Sequence, residues 1–150
     1  MTPVTVETAE PDDAAGCAAI VNDWIDRTDW MPRIHTRAAV VDYYRRHVLP
    51  KRLAKVARRG TFGTVSGFLA LEEEAGLITD LYCAQPGRGI GRRLLEAART
   101  QADALRLWTF VANEGARRFY AREGFKEVRR TDGDNDERLP DVLLTWERAA

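Results

Sequence analysis

The sequence is poor in the residues that build metal centres and disulfide frameworks. Its 150 residues include two cysteines, Cys17 and Cys83, and two histidines, His35 and His47. The long interval between the cysteines matches no zinc-ligand spacing. No metal is expected, and two free thiols fit a reducing compartment. An excess of charge of one sign is also missing, since 23 Lys and Arg balance 23 Asp and Glu. Nucleic-acid binders ordinarily carry a basic stripe. Here basic residues gather only in short pairs such as Arg45-Arg46 and Arg58-Arg59, so no nucleic-acid partner is expected. No apolar run approaches the roughly 18 residues of a membrane span. Residues 1–10 have neither the basic start nor the apolar stretch of a secretory leader. These absences predict a cytoplasmic protein without a membrane partner.

What is present describes one globular domain over residues 1–150, with 45% hydrophobic and 31% charged residues. Val4 to Thr8 alternates and reads as a strand. Pro11-Asp12-Asp13 opens a helix with Cys17, Ile20, Val21, Trp24 and Ile25 on one face. Thr36 is placed to cap a second helix, whose buried stripe is Val40, Val41, Tyr44, His47 and Val48, and Pro50 ends it. Strands are expected at Leu53–Arg58, Val65–Leu71 and Leu77–Cys83, joined by turns short enough for antiparallel hairpins. A helix opening at Gly91 follows, with Leu94, Leu95, Ala98, Ala102 and Leu105 along one face. Next come a strand at Leu107–Val111, a helix carrying Ala116, Phe119 and Tyr120 that Gly124 terminates, and strands at Phe125–Arg130 and Val142–Glu147. The fold class is α/β of the α+β type, a mixed, mostly antiparallel sheet flanked by helices.

Two segments carry chemistry. Gln85-Pro86-Gly87-Arg88-Gly89-Ile90-Gly91 joins a strand to a helix. Helix-start amides lack intrahelical partners and present the positive end of the dipole. Glycines let the backbone approach a phosphate closely, and Arg88, Arg92 and Arg93 add positive charge. The dinucleotide fingerprint G-x-G-x-x-G fails at Arg92, and the Gly-Lys-Ser/Thr of a nucleotide P-loop is absent. A tight turn alone also explains the glycines. The second segment runs from Asn113 through Ala116, Phe119 and Tyr120 to Gly124 and Phe125. Taken singly, these residues read as an N-cap, core positions and a helix stop.

Together the two segments resemble the GNAT superfamily of N-acetyltransferases. In that family a glycine turn, helix and strand precede a stretch of the form N-x-x-A-x-x-[FL]-Y-x-x-x-G-F. Ile78 to Cys83 looks like the family's cofactor strand, and the strong match covers about residues 77–130. The resemblance implies acetyl-CoA as donor, bound by Leu81, Tyr82, Cys83, Gly87, Arg88, Gly89, Ile90, Gly91, Arg92, Asn113, Ala116 and Tyr120. It also implies direct transfer to a primary amine of a small molecule, without an acyl-enzyme. Tyr120 matches the tyrosine that protonates the leaving thiolate. The family usually has about two more residues before the first turn glycine, and an arginine or glutamine where Pro86 stands here. Proline has no N–H, so one pyrophosphate hydrogen bond is lost.

The general base is open among Asp80, Glu72, His35 and a bound water, with Asp80 on the right strand. An acyl-cysteine route through Cys83 lacks a visible base. Trp24 to Thr36 and Thr131 to Asp141 are expected to build the acceptor pocket, where Trp30, Met31, His35 and Tyr43 either shape it or pack as core. The alternation of Asp132, Asp134 and Asp136 is no calcium loop, because Glu137 and Leu143 stand where glycine and glutamate are needed. The rival readings are a non-catalytic acyl-CoA sensor, a nucleotide-binding domain, and transfer to a protein or peptide amine. A homodimer is compatible with the resemblance.

Overall fold

A computed structural model describes residues 3–60 and 63–149. Among these described residues, seven strands form one sheet in the order β1-β2-β3-β4-β5-β7-β6. The strands are β1 (Val4–Thr8), β2 (Leu53–Arg59), β3 (Val65–Glu72), β4 (Leu77–Cys83), β5 (Ala104–Phe110), β6 (Lys126–Thr131) and β7 (Asp141–Glu147). The helices are α1 (Ala14–Arg27), α2 (Arg37–Tyr43), α3 (Ile90–Arg99) and α4 (Glu114–Arg122). β1 to β4 pair antiparallel in chain order. After the α3 crossover, β5 joins β4 in parallel, so the sheet is mixed, as its element pattern predicts. The last hairpin turns back, so β7 and not β6 pairs with β5.

The sheet is covered on both faces. β3 shows why, because it is apolar at nearly every position rather than at every second one. Leu69 and Leu71 enter a core with Leu94, Leu95 and Ala98 of α3. Phe68 and Ala70 enter the opposite core with Cys17 and Val21 of α1 and Val48 beyond α2. Gly67 lets α3 close on the sheet. A Cβ there would lie 2.9 Å from Ile90 Cγ2 and 3.0 Å from the Tyr82 carbonyl oxygen. At the start of α1, Asp13 accepts the Glu10 N–H at 2.8 Å and two bonds from Arg58 of β2, each 2.9 Å. That pairing ties the first helix to the sheet.

Three expectations are corrected. α3 ends at Arg99, and Leu105 lies on β5, which starts at Ala104. Ala102 and Leu105 still pack in the core beside Leu95 and Ala98, so their spacing imitates one more turn of helix. The second correction concerns His47, which is exposed. Beyond Tyr43 the helix widens to an i→i+5 turn over Tyr44–Val48, in which the Leu49 N–H donates to the Tyr44 carbonyl at 3.0 Å. The extra residue per turn keeps Tyr44 and Val48 inside and rotates His47 out. Finally, β6 begins at Lys126, leaving Phe125 as a buried plug before it. Gly124 stops α4 at φ +92°, as its place in the sequence predicts.

Leu94 is fully buried between α3 and the sheet. Leu94→Ala should cost about 3 kcal/mol of unfolding free energy, read as a lower urea midpoint at unchanged slope. A loss below about 1 kcal/mol would mean that α3 does not pack against the sheet in this way.

Candidate functional site

The site begins where the sheet comes apart. β4 and β5 pair only at Leu77↔Arg106 and Ile78↔Leu107. Beyond those positions they diverge, and a cleft of about 930 Å³ opens between them. A bulge at Thr79 shifts the β3–β4 register between Ala70/Leu71. It sends Ile78, Leu81 and Cys83 toward the α3 side, while Tyr82 packs on the α1 side. The Ala84 N–H donates to Ser66 of β3 at 2.8 Å. Antiparallel alternation then turns the N–H groups of Leu81 and Cys83 away from β3 and into the cleft. An extended amide-bearing chain laid there would pair with them as an added strand.

The glycine turn closes the far end. Gly87 and Gly89 adopt φ +78° and +75°, values that suit glycine. A Cβ at either would meet nothing within 4 Å, so the turn faces open space. Gly89 is the N-cap of α3, and the first helical bond runs from the Arg93 N–H to the Gly89 carbonyl at 3.3 Å. The N–H groups of Ile90, Gly91 and Arg92 therefore precede the ladder and point outward, flanked by the side chains of Arg88 and Arg92. Pro86 supplies no N–H, and the turn keeps its form without one. Gly91 matters for packing instead. A Cβ there would sit 3.3 Å from the Phe119 ring, so this glycine lets α4 approach α3.

The second motif forms the opposite wall. Asn113 caps α4, its Oδ1 accepting the Ala116 N–H at 3.2 Å. Asn113, Ala116, Phe119 and Tyr120 all line the cleft. Tyr120 is 7% exposed and packs edge-on against Phe119 and Phe125. Burial pushes its hydroxyl well above the usual tyrosine range, with the neighbouring Cys83 adding to the shift. It therefore keeps its proton at neutral pH. Burial also pushes the Cys83 thiol up to about 11. No imidazole stands among the cleft residues, so Cys83 is a poor nucleophile.

Asp80 reaches the cleft wall from the α1 side. Its Oδ2 accepts the Tyr44 hydroxyl at 2.7 Å, and Arg52 stands 3.5 Å from Oδ1. Burial raises its carboxyl above the usual range, against the pull of Tyr44, Thr79 and Arg52. The other base candidates lie elsewhere. Glu72 pairs with Leu77 at the closed end of the sheet, 3.8 Å from Arg52, and His35 is exposed outside the cleft. Met31 and Tyr43 are also outside it, with Tyr43 packed beside His47.

Arg27 and Thr28 lie in the Trp24–Thr36 segment expected to build the acceptor pocket and do line the cleft, whereas the end of β5, with Thr109 and Phe110, is wall that sequence reasoning missed. No residue pattern marks the end of β5 as wall, because only its parting from β4 exposes it.

A family model for the acetyltransferase (GNAT) domain matches residues 56–127. Among solved structures, YjaB from Escherichia coli in its apo form is 25% identical. It aligns with a TM-score of 0.77 over 98% of this chain and 99% of that one. A GNAT-family acetyltransferase from Bacillus cereus is 17% identical, with a TM-score of 0.75 over 99% of both chains. The structure of yncA from Salmonella typhimurium with its cofactor acetyl-CoA is 19% identical, with a TM-score of 0.69 over 97% of this chain and 94% of that one. These last two likenesses are of fold. A search of curated proteins gives no match.

Asp80 gives a pH dependence of stability. Its folded pKa lies above the unfolded value near 3.8, so the folded state holds the proton more tightly. The contribution is fully present below that unfolded value and is lost as pH rises through the folded one. Asp80→Asn keeps an acceptor for Tyr44 and removes this loss. The stability of the wild type relative to Asp80→Asn should therefore fall as pH rises from acid to neutral, in urea titrations of both proteins. A constant difference would place Asp80 in solvent.

Proposed function

The chain belongs to the GNAT superfamily of acetyltransferases, and on that footing we propose that it moves an acetyl group from acetyl-CoA to a primary amine of a small molecule. Both substrates are bound at once and no acyl-enzyme forms. The observation that carries this reading is the free backbone edge of β4, which runs straight into the exposed N-terminus of α3. That edge and terminus suit a ligand with amides along an arm and a pyrophosphate at one end. The donor's thioester supplies the activated acetyl group.

The chain's own residues divide the remaining work. The N–H groups of Leu81 and Cys83 hold the arm, and the backbone of Tyr82 keeps it in register. The N–H groups from Gly87 to Arg92, with Arg88 and Arg92, hold the pyrophosphate. Asn113 and Ala116 flank the arm from α4. In the reaction a bond forms between the amine nitrogen and the acetyl carbon, and the carbon–sulfur bond breaks. The amine gives up one proton and the sulfur gains one. Tyr120, on the α3–α4 side, holds the proton for sulfur. Asp80, on the α1 side, is raised by burial toward the range in which a carboxylate accepts a proton from the amine.

Calorimetry with acetyl-CoA, ATP and NAD should show micromolar binding of acetyl-CoA alone. Free thiol should then appear in the presence of primary amines. Tyr120→Phe should lower kcat about 100-fold and leave acetyl-CoA affinity unchanged. Absence of acetyl-CoA binding sinks the proposal. Binding without turnover of any amine would reassign the domain as an acyl-CoA sensor.

A further inference from the structure

Four aromatic rings from three distant parts of the chain meet at the α1 side of the cleft. Trp24 of α1 packs edge-on against Tyr82 of β4, with ring centres 5.6 Å apart. Trp30, from the loop after α1, packs edge-on against Trp24 at 5.7 Å and against Phe110 of β5 at 5.8 Å. Trp24, Tyr82 and Phe110 line the cleft itself, and Trp30 bridges two of them from outside. The rings thus form an arc across the gap between β4 and β5.

The arc lies at the rim of the α1-side core, on which Tyr82 packs. All four side chains keep part of their surface accessible, although apolar surface of this size would be stabilised by full burial. Four partly buried rings converging on the wall of a cleft make an apolar receptacle. Its position fixes which part of a ligand it receives. Tyr82 neighbours Asp80 along the strand, and Tyr120 stands across the cleft. An amine that enters the cleft on the α1 side, where Asp80 and Tyr82 lie, meets these rings with its body.

We infer that the acceptor is a primary amine on a short chain bearing an aromatic or bulky apolar body, and that Trp24, Trp30, Tyr82 and Phe110 form its binding arc. The inference deepens the proposed acetyl transfer and rests on it. A polyamine would meet the rings through cation–π contact alone and leave their apolar surface wetted. A peptide amine would bring a polar backbone to a wall made of ring edges. A phenyl or indole body displaces water from those edges and gains edge-to-face contacts.

Two readouts test it, the first without turnover. The indole N–H signals of Trp24 and Trp30 are followed by NMR as 2-phenylethylamine is added to the wild-type protein. Trp146, which lies under Arg99 at 5.2 Å and away from the arc, is the internal control. The Trp24 and Trp30 signals should move together and saturate, with Trp146 unchanged. In the second, acetyl transfer to 2-phenylethylamine is compared with transfer to propylamine, spermidine and a lysine peptide. kcat/KM should favour the aryl amine over propylamine by at least about tenfold. Trp24→Ala and Phe110→Ala should raise KM for the aryl amine about tenfold, with kcat and acetyl-CoA affinity little changed.

Still indole signals, or a preference for spermidine or the peptide, overturn the inference even where acetyl transfer holds. Loss of acetyl-CoA binding in the wild type, by contrast, defeats the proposed transfer, while the indole titration still decides whether the arc takes aryl amines.

Discussion

Backbone hydrogen bonding is close to obligatory inside a protein, and this molecule breaks off its ladder in mid-sheet. β4 and β5 share two residue pairs and then part. An N–H or carbonyl left without a partner in such a place is costly unless water or a ligand meets it. The parted strands therefore form a prepared edge rather than a passive gap. The cleft, the facing of Tyr120 and Asp80 from opposite sides, and the exposed start of α3 all follow from that parting.

Smaller devices hold the parting in place. The bulge at Thr79 lets β4 give Leu81 and Cys83 to one face and Tyr82 to the other. Gly67 brings α3 close enough to β3 for the helix start to meet the end of β4. On the other face, the widened turn after α2 carries Tyr44 inward, where its hydroxyl reaches Asp80. Asp80 thus costs something to bury, and Tyr44, Thr79 and Arg52 offset part of that cost.

The local part of this arrangement is legible in the sequence. Strand alternation, the caps at Thr36 and Asn113, and the stop at Gly124 are decided within a few residues, and the structure keeps them. Gly87 and Gly89 are readable because left-handed backbone strongly selects glycine. The end of α3 was not readable, because Ala102 and Leu105 join the same core from a turn and a strand. The widened turn at Tyr44 has no distinct residue pattern, so His47 kept its place in a helical stripe. The aromatic arc was out of reach for another reason: residues 24, 30, 82 and 110 meet only once the sheet order and the parting of β4 and β5 are known. The Tyr44–Asp80 bond, across 36 positions of chain, has the same origin.

The outer strand β6 is exposed along most of its length, and Lys126, Arg129 and Arg130 outnumber its single acid, Glu127. One side of it pairs with β7 and, among the described residues, the other has no strand beside it. Two copies approaching edge to edge would bring cationic side chains against one another. Growth of the sheet from molecule to molecule is thereby discouraged at high concentration, although Val128 on the same strand is 57% exposed. The charge on β6 thus opposes growth of the sheet through this edge.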